Sequence, residues 1–284
     1  IADHRPILPG HIMTGPIAVA GALPGDTLRV EILEMRPRLA YGSNCAANWG
    51  LLYDTFGKER ITIYELLDAV DGGFPTEARP VFGFDFTTRD LYDLPGVISP
   101  TEASRRQPFG RPVTVPVRPH LGVMGVAPAG TERRSSIPPG VFGGNVDNWR
   151  FGPGAVVHYP VFHEGALFYV GDPHFSQGDG ELCGTAIEAS LDVRVRLSLA
   201  DSLSVQAPLL LHGGQWYTHG FGGDLDEAMR MAAEQMLDLL VGRGGFTRDE
   251  AYSLASVAVD LGITQVVDGT VGCHAAVADA ILQG

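Results

Sequence analysis

The chain has 284 residues, of which 33 are acidic and 20 basic, and its formal net charge at neutral pH is −13. Such an acidic protein repels phosphate backbones and anionic lipids, so nucleic acid and membrane surfaces are poor candidates for its partners. Hydrophobic residues make up 45% of the chain, which argues against disorder, while 37 glycines and 20 prolines favour many short strands over a helical bundle.

The cysteines and the start of the chain bear on where the protein resides. Cys45, Cys183 and Cys273 show no CxxC spacing, and such a sparse, odd set predicts reduced thiols in the cytoplasm. Neither an apolar run of about 18 residues nor a signal-peptide pattern is visible. The chain begins with Ile1 rather than methionine, so we expect a further N-terminal segment before the numbered residues.

The first half of the chain contains one clear strand and several weaker patterns. Residues 26–34 alternate apolar and polar side chains, as a half-buried strand does. Residues 41–50 are mostly small and predict a loop, whereas residues 61–70 fit either a short helix or a strand. Residues 87–111, which include three prolines, predict a long excursion of the kind that shapes a pocket mouth or a subunit contact.

Strand patterns are more regular after residue 111. A close-packed strand is predicted at residues 122–127, after a proline-rich segment, and two others at residues 155–161 and 166–170. Residues 191–199 alternate over nine positions and are the clearest predicted strand. These segments, separated by glycine-rich turns, are typical of a sandwich or barrel.

Two helices are predicted near the C-terminus. Asp224 and Thr247 are their N-caps, each with a glutamate three positions later, and Gly262 is the expected end of the second helix. The fold class is therefore mainly β (α+β overall), a β-sandwich or barrel core with a smaller C-terminal helical portion. We predict a β-rich region at residues 1–200 and an α+β region at residues 201–284, or one continuous unit.

Chemically active side chains concentrate at residues 170–188. This stretch holds four acids, a histidine, a glutamine and four glycines between two strand-like runs. Glycine lets the backbone approach a ligand closely, and carboxylates with an imidazole are ligands that borderline metals prefer. The alternative is a β-turn with solvated charges, because turns favour the same residues for backbone reasons.

The string H-x-x-Q-G-D-G-E-x-C-G-T-A-I-E at residues 174–188 resembles the signature of the acetamidase/formamidase family. Further blocks that agree with the family occur, in order, at residues 14–17, 21–26, 122–128, 143–147 and 220–228. The resemblance extends from Thr14 to Val267. It implies a jelly-roll-like sandwich, hydrolysis of small amides such as formamide and acetamide to ammonia and the acid, and a homo-oligomer; relatives open cyclic amides.

Amide hydrolysis needs a nucleophile, a polarised carbonyl and an acid for the leaving nitrogen, and a metal-activated water beside a carboxylate supplies all three. The candidate residues are Asp147, His174, Asp179, Glu181 and Glu188. We predict that Asp147, His174 and Glu188 hold a divalent metal and that Asp179 and Glu181 are the catalytic proton-transfer or orienting groups. Imidazole with carboxylates suits zinc best, whereas an all-oxygen set would suit calcium or magnesium.

Strand geometry limits which of these side chains can meet. Asp172 and His174 would share one face of an extended strand. Glu181 and Glu188 would lie on opposite faces, so both reach one site only if a bulge intervenes, which Gly184 permits.

The remaining polar candidates are amides and histidines. Asn145 and Gln177 each offer a donor and an acceptor and are predicted to bind the substrate. His4 and His11, in the irregular N-terminal region, are predicted to be surface or packing residues. The other histidines lack the spacing of a ligand pair and are assigned structural roles: His120, His158, His212, His219 and His274.

Three alternatives stay open at this point: a cysteine nucleophile, a lactam-opening hydrolase and a non-catalytic binding protein. Cys183 could act as a nucleophile with His174 as its base. Lys58 is the one lysine of the chain and lies in a turn-like sequence, which disfavours the lysine-dependent amidase mechanisms. The protein could instead be a lactam-opening hydrolase of the same family, or a non-catalytic sandwich that binds a small ligand.

Overall fold

The protein folds as two antiparallel sheets with helices on one side. The structure, a computed structural model, describes residues 10–46, 49–56, 59–67, 73–86 and 106–283. The strands are β1 (Met13–Ile17), β2 (Thr27–Pro37), β3 (Tyr41–Ala46), β4 (Glu59–Leu66), β5 (Glu77–Phe86), β6 (Gln107–Pro108), β7 (Val115–Pro116), β8 (His120–Gly125), β9 (Gly143–Asn145), β10 (Val156–Pro160), β11 (Phe168–Ser176), β12 (Ile187–Glu188), β13 (Leu191–Leu199), β14 (Leu209–His212), β15 (Gln215–Gly222), β16 (Asp260–Gln265) and β17 (Val271–Ala278). The helices are α1 (Leu225–Gly244), α2 (Arg248–Ala258) and α3 (Asp279–Leu282).

The two sheets differ in size and in the part of the chain they use. The larger has ten strands in the order β6-β5-β4-β3-β12-β11-β8-β9, with β1 beside β11 and β7 beside β5. The smaller has seven, in the order β13-β2-β10-β14-β15-β17-β16. It joins strands from both sides of residue 200 by direct β10–β14 pairing. The division into regions 1–200 and 201–284 stays a prediction.

The main apolar core lies between the two sheets. Val30 of β2 and Val157 of β10 are fully buried from the seven-stranded sheet, and Leu121 of β8 and Phe168 of β11 are buried from the ten-stranded sheet, all in one cluster. Each such side chain contributes about 1.5–3 kcal/mol when removed from water. This core fixes β8 and β11, the two strands on which the candidate site is built.

A second core joins the helices to the outer face of the seven-stranded sheet. Ala228 and Met236 of α1 pack with Trp216 of β15 and Cys273 of β17. The result is three layers, with the candidate site in the sheet farthest from the helices. No helix within the described residues is long and apolar enough to cross a bilayer.

Several predictions from the sequence are confirmed. The fold is mainly β with few helices, and residues 191–199 form strand β13. The backbone N–H of Glu227 donates to Asp224, and Thr247 forms a capping box with Glu250. Lys58, His4 and residues 87–105 lie outside the described residues.

Two predictions of local structure are wrong. Residues 41–46 form strand β3 rather than a loop. At Gly42 a side chain does not fit because β12 passes very close: a Cβ there would lie 2.4 Å from the carbonyl oxygen of Glu188. Helix α2 ends at Ala258, and Gly262 lies in β16, where it pairs with His274. In both places, tertiary pairing decides the local conformation.

The contact between β15 and α1 gives a test of the packing. A Cβ on Gly220 would lie 2.1 Å from the carbonyl oxygen of Ala228, so we expect Gly220→Ala to lower the free energy of unfolding by about 1–3 kcal/mol. Gly242, within α1, has open space, and Gly242→Ala should raise it by up to about 1 kcal/mol. Denaturant unfolding of both variants checks this, and equal effects would contradict the packing described.

Candidate active site

His174 lies at the centre of the candidate site. It belongs to β11, pairs in register with His120 of β8 and with Glu188 of β12, and is fully buried. Its Nε2 atom lies 3.3 Å from Oδ2 of Asp172 and 3.3 Å from Oε2 of Glu188. The register of three neighbouring strands therefore brings an imidazole and two carboxylates together.

Hydrogen bonds on the other edge of the ring set the tautomer of His174. The Nδ1–H of His120 donates to the carbonyl oxygen of Arg118 at 2.6 Å, and burial lowers the pKa of His120 to about 3, so this ring is neutral. Its Nε2 then accepts from Nδ1 of His174 at 3.1 Å, and Oε1 of Gln177 lies 3.2 Å from the same Nδ1. The Nε2 atom of His174 is thereby left to face the carboxylates.

Two further carboxylates, Asp147 and Glu181, lie near His174. Single ligand atoms of Asp147, His174 and Glu181 all fall within 4.8 Å of one another, as do those of Asp172, His174 and Glu188. Asp147, Asp172 and Glu181 have φ values of 50°, 51° and 48°, in the left-handed region that costs a non-glycine residue about 1–3 kcal/mol. Strain at three site carboxylates indicates that their positions are imposed by the surrounding fold.

The turn of Glu181 is held against the end of β16. Gly180 forms a parallel bridge with Gln265, and its N–H donates to the carbonyl oxygen of Thr264 at 3.0 Å. The chain after β16 then brings in Asp268, which accepts a hydrogen bond from Nδ2 of Asn145 at 2.9 Å. A fifth carboxyl group thus joins the cluster from a distant part of the sequence.

Burial and mutual repulsion set the protonation of this cluster. Burial raises the pKa of Asp147, Glu181 and Glu188, and it raises that of Asp268 to about 7. Burial would also raise the pKa of Asp172, but the charge and hydrogen bond of His174 bring it well below its usual range. If all five of these carboxyl groups were ionised, they would have more negative charge than one imidazole can balance.

Two opposing effects act on the pKa of His174. Burial alone would lower it, yet the charges of Glu188 and Asp172 raise it well above its ordinary value. In the absence of another cation these charges favour the imidazolium form of the ring, which neutralises part of the cluster. A metal ion would have to displace this proton.

The donor set fits a small divalent cation. Two ligands about 2.0–2.1 Å from a tetrahedral zinc ion lie about 3.3–3.4 Å apart, which matches the 3.3 Å separations around Nε2 of His174. Both oxygens of Asp147 are buried and meet no hydrogen-bond partner among the described residues. Gly122 leaves room for these side chains to converge, because a Cβ at this position would lie only 2.6–2.7 Å from Asp147, Asp172 and His174.

A small cavity of about 230 Å³ borders the cluster. Asp268 lines it, and so does His11, whose Nε2 lies 3.8 Å from Oδ2 of Asp172. The rest of its wall combines the apolar side chains of Trp49, Ile137 and Val267 with Gly10, Gly184 and Thr185. A molecule in this cavity would lie beside the carboxylates.

Comparison with known proteins shows which family the chain belongs to. The sequence profile of the acetamidase/formamidase family matches residues 128–281, more than half of the chain. The chain belongs to the acetamidase/formamidase family. The matched range includes Asp147, Asp172, His174, Glu181 and Glu188, which form the cluster.

Individual members of the family resemble the chain over much of its length. It is 31% identical to an acetamidase of Mycolicibacterium smegmatis over 67% of this chain and 54% of that protein. It is 30% identical to a formamidase of Methylophilus methylotrophus over 66% of this chain and 51% of that one. The chain therefore spans about half the length of these curated relatives. The crystal structure of a Bacillus halodurans acetamidase superposes with a TM-score of 0.77 at 26% identity, covering 95% of this chain and 79% of that one.

The structure brings most of the predicted charged residues together, but not all. Asp147, His174, Glu181 and Glu188 lie in the cluster. Asp179 does not: its side chain is 48% exposed, and it accepts hydrogen bonds from Nε1 of Trp149 at 2.8 Å and from Arg150 at 3.4 Å. The roles of all these residues stay predictions, and the geometry favours Glu181 over Asp179 for proton transfer.

Asn145 and Gln177, predicted to bind substrate, have different surroundings. Gln177 is buried, its Nε2 donates to the carbonyl oxygen of Asp147 at 2.7 Å, and its Oε1 faces His120 and His174. All of its polar atoms are thus engaged inside the protein. Oδ1 of Asn145 is buried and has no partner within the described part of the chain, so it can still accept a hydrogen bond.

Sequence reasoning missed several members of the site. The pairing of Asp172 with His174 on one strand face was visible, but Asp172 was not selected as a ligand. His11, for which the sequence predicts a surface or packing role, borders the cavity, and the structural role predicted for His120 is to hold the His174 ring. Asp268 had no signal, because it reaches the site only through the pairing of β16.

Both glutamates of the signature reach the cluster, but through a turn at Gly184 rather than through a bulge in an extended strand. Residues 181–186 form an irregular turn in which Gly184 has φ +93°, and the β11–β12 register shifts between His174 and Ser176. Oε1 of Glu188 accepts from the N–H of Ala186 at 3.0 Å, which turns Oε2 toward His174.

Cys183 lacks the partner that a nucleophile needs. Its sulfur accepts a hydrogen bond from Nδ2 of Asn44 at 3.1 Å, and within the described residues no histidine nitrogen bonds to it. A cysteine nucleophile needs an adjacent general base. The geometry therefore does not favour the cysteine mechanism.

The space over Gly122 provides a test of metal binding. We expect Gly122→Ala to weaken zinc binding by at least about tenfold, because its methyl group would press on Asp147, Asp172 and His174. Gly178→Ala, in the same signature but with no atom within 4 Å of the added Cβ, is the matched control. Isothermal titration calorimetry with zinc on both variants measures this; equal affinities would count against the cluster as the metal site.

The pKa shifts predict how the metal-free protein responds to pH. With raised pKa values, His174, Asp147 and Glu181 hold protons in the folded state that the unfolded chain has released by about pH 7. The stabilisation from protonated His174 is full below pH 6.5, its unfolded value, and is lost as pH rises through its folded pKa. Ionising the two carboxyls costs stability in the same direction.

We therefore expect the melting temperature of chelator-treated protein to fall between pH 7 and pH 9, and that of zinc-saturated protein to fall less. The lowered pKa values of Asp172 and His120 act only at lower pH and do not offset this trend. Differential scanning calorimetry of both forms checks it. Parallel profiles would contradict the proposed competition between metal and protons.

Proposed function

We propose that the protein is a metal-dependent hydrolase of small linear amides, which releases ammonia and a carboxylic acid. Family membership supports the reaction class, since the chain matches relatives named acetamidase and formamidase. The observation that carries the proposal is the position of Nε2 of His174, 3.3 Å from carboxylate oxygens of both Asp172 and Glu188 beside a small cavity.

His174, Asp172 and Glu188 are the residues we propose to hold the metal, with Asp147 beside them. Zinc fits this set best because it favours imidazole and carboxylate ligands at the separations described. A divalent cation there would supply a Lewis acid and lower the pKa of a water molecule from about 15.7 towards about 7. His120 and Gln177 would hold the His174 ring in the tautomer that this requires.

The substrate amide would enter the cavity between the cluster and the apolar wall. Nδ2 of Asn145 would keep Asp268, which lines the cavity, in place, and the binding of substrate by Asn145 itself stays a prediction. Trp49, Ile137 and Val267 would exclude bulk water from the acyl side. Exclusion of water strengthens the electrostatic interactions within the site.

Glu181 is the residue we propose to carry a proton from the attacking water to the leaving nitrogen. It is buried and lies in the same group as Asp147 and His174. Asp179, which the sequence predicted for the same task, would instead position the turn, since Trp149 and Arg150 hold its carboxylate at the edge. Assembly as a homo-oligomer and a cytoplasmic location stay predictions.

The two acidic residues of the signature give a test of this assignment. We expect Glu181→Gln to reduce kcat for ammonia release from acetamide by about 10²–10⁴-fold, the usual contribution of a general acid or base. Asp179→Asn should have a smaller effect, because it weakens a positioning contact. Zinc content and melting temperature show whether each variant is folded and loaded.

Ammonia release is followed with formamide, acetamide and a small lactam as substrates. Full activity of a folded, zinc-loaded Glu181→Gln enzyme would reject the role of Glu181. Wild-type protein that binds zinc but hydrolyses no amide would reject the function itself, and lactam opening alone would replace it with the alternative activity.

A further inference from the structure

We propose that Trp49 sets the upper limit on the length of the acyl chain that the enzyme accepts. The inference rests on the proposed amide hydrolysis and concerns a residue outside the signature. Trp49 belongs to the excursion between β3 and β4, and its indole ring forms part of the wall of the cavity beside the cluster. It is the largest side chain of that wall.

The ring is fixed against the signature turn. Nε1 of Trp49 donates to the carbonyl oxygen of Gly184 at 2.9 Å, and the N–H of Leu51 donates to the carbonyl oxygen of Leu182 at 2.9 Å. A Cβ on Gly184 would lie 1.8 Å from Cδ1 of Trp49, so the ring occupies the space that a side chain there would fill. Trp49 is thereby held by the turn that also carries Glu181.

The lining of the cavity gives a substrate an orientation. Asp268 and His11 adjoin the carboxylate cluster and face the reacting amide, whereas Trp49, Ile137 and Val267 can only contact hydrocarbon. The acyl chain would therefore point to the apolar wall. Because Trp49 is the largest of these three side chains, its ring is the part of the wall that a longer acyl chain would meet.

Movement of the Trp49 ring does not easily remove this limit. The Nε1 hydrogen bond and the close contact with Gly184 both restrain the indole. Moving the ring would break that hydrogen bond, whose net contribution is about 0.5–1.5 kcal/mol. A longer acyl chain would have to displace it at that cost.

The experiment compares kcat/KM for acetamide and butyramide in the zinc-loaded enzyme. In Trp49→Ala, the ratio of butyramide to acetamide should rise at least about tenfold, since each methylene accepted by an apolar pocket is worth about 10–200-fold. Trp49→Leu should give an intermediate ratio. It serves as the second variant if the alanine variant does not fold, as judged by its melting temperature.

Tyr53→Ala is the matched control, because Tyr53 lies on the same excursion but lines a different, apolar surface with Leu52 and Phe56. Its ratio should equal that of the wild type. An unchanged ratio in a folded Trp49 variant, or loss of activity on both amides with zinc still bound, would overturn the inference while leaving the function intact. Wild-type enzyme that hydrolyses neither amide would overturn the function, and the inference with it.

Discussion

The burial of one imidazole among five carboxyl groups is the constraint on which the rest of the site depends. His174 has its Nδ1 edge taken by His120 and Gln177, so only its Nε2 edge can compensate Asp172 and Glu188. One positive charge cannot balance the cluster, and buried carboxylates without a counter-charge are costly. Protons or a cation must make up the difference, so a metal bound here would link folding, pH and metal binding in one equilibrium.

The fold meets this cost with a rigid frame. β11 is hydrogen bonded on both sides, to β8 and β12, and the apolar core between the sheets packs against β8 and β11. Such a frame can hold Asp147, Asp172 and Glu181 in left-handed backbone conformations that an isolated loop would leave. Gly122 completes it by leaving the space in which the donor atoms converge.

Sequence reasoning recovered the parts of the protein that local pattern encodes. The alternation of β13, the capping residues of α1 and α2, and the acids and histidine of the signature were all visible in the chain. Residues whose role depends on distant pairing were not. Asp268 reaches the site through β16, and Trp49 lies 135 positions before the glycine it contacts. In β3, Gly42 conceals a strand because β12 passes too close for a side chain there.

The signature turn therefore has two faces with separate tasks. Glu181 and Glu188 point inward to the cluster, whereas the carbonyl oxygens of Leu182 and Gly184 face outward and anchor the excursion that carries Trp49. Changes in that excursion can alter the size of the cavity without moving a carboxylate. Under the proposed function, the sheet would set the reaction and the segment that carries Trp49 would influence the choice of substrate.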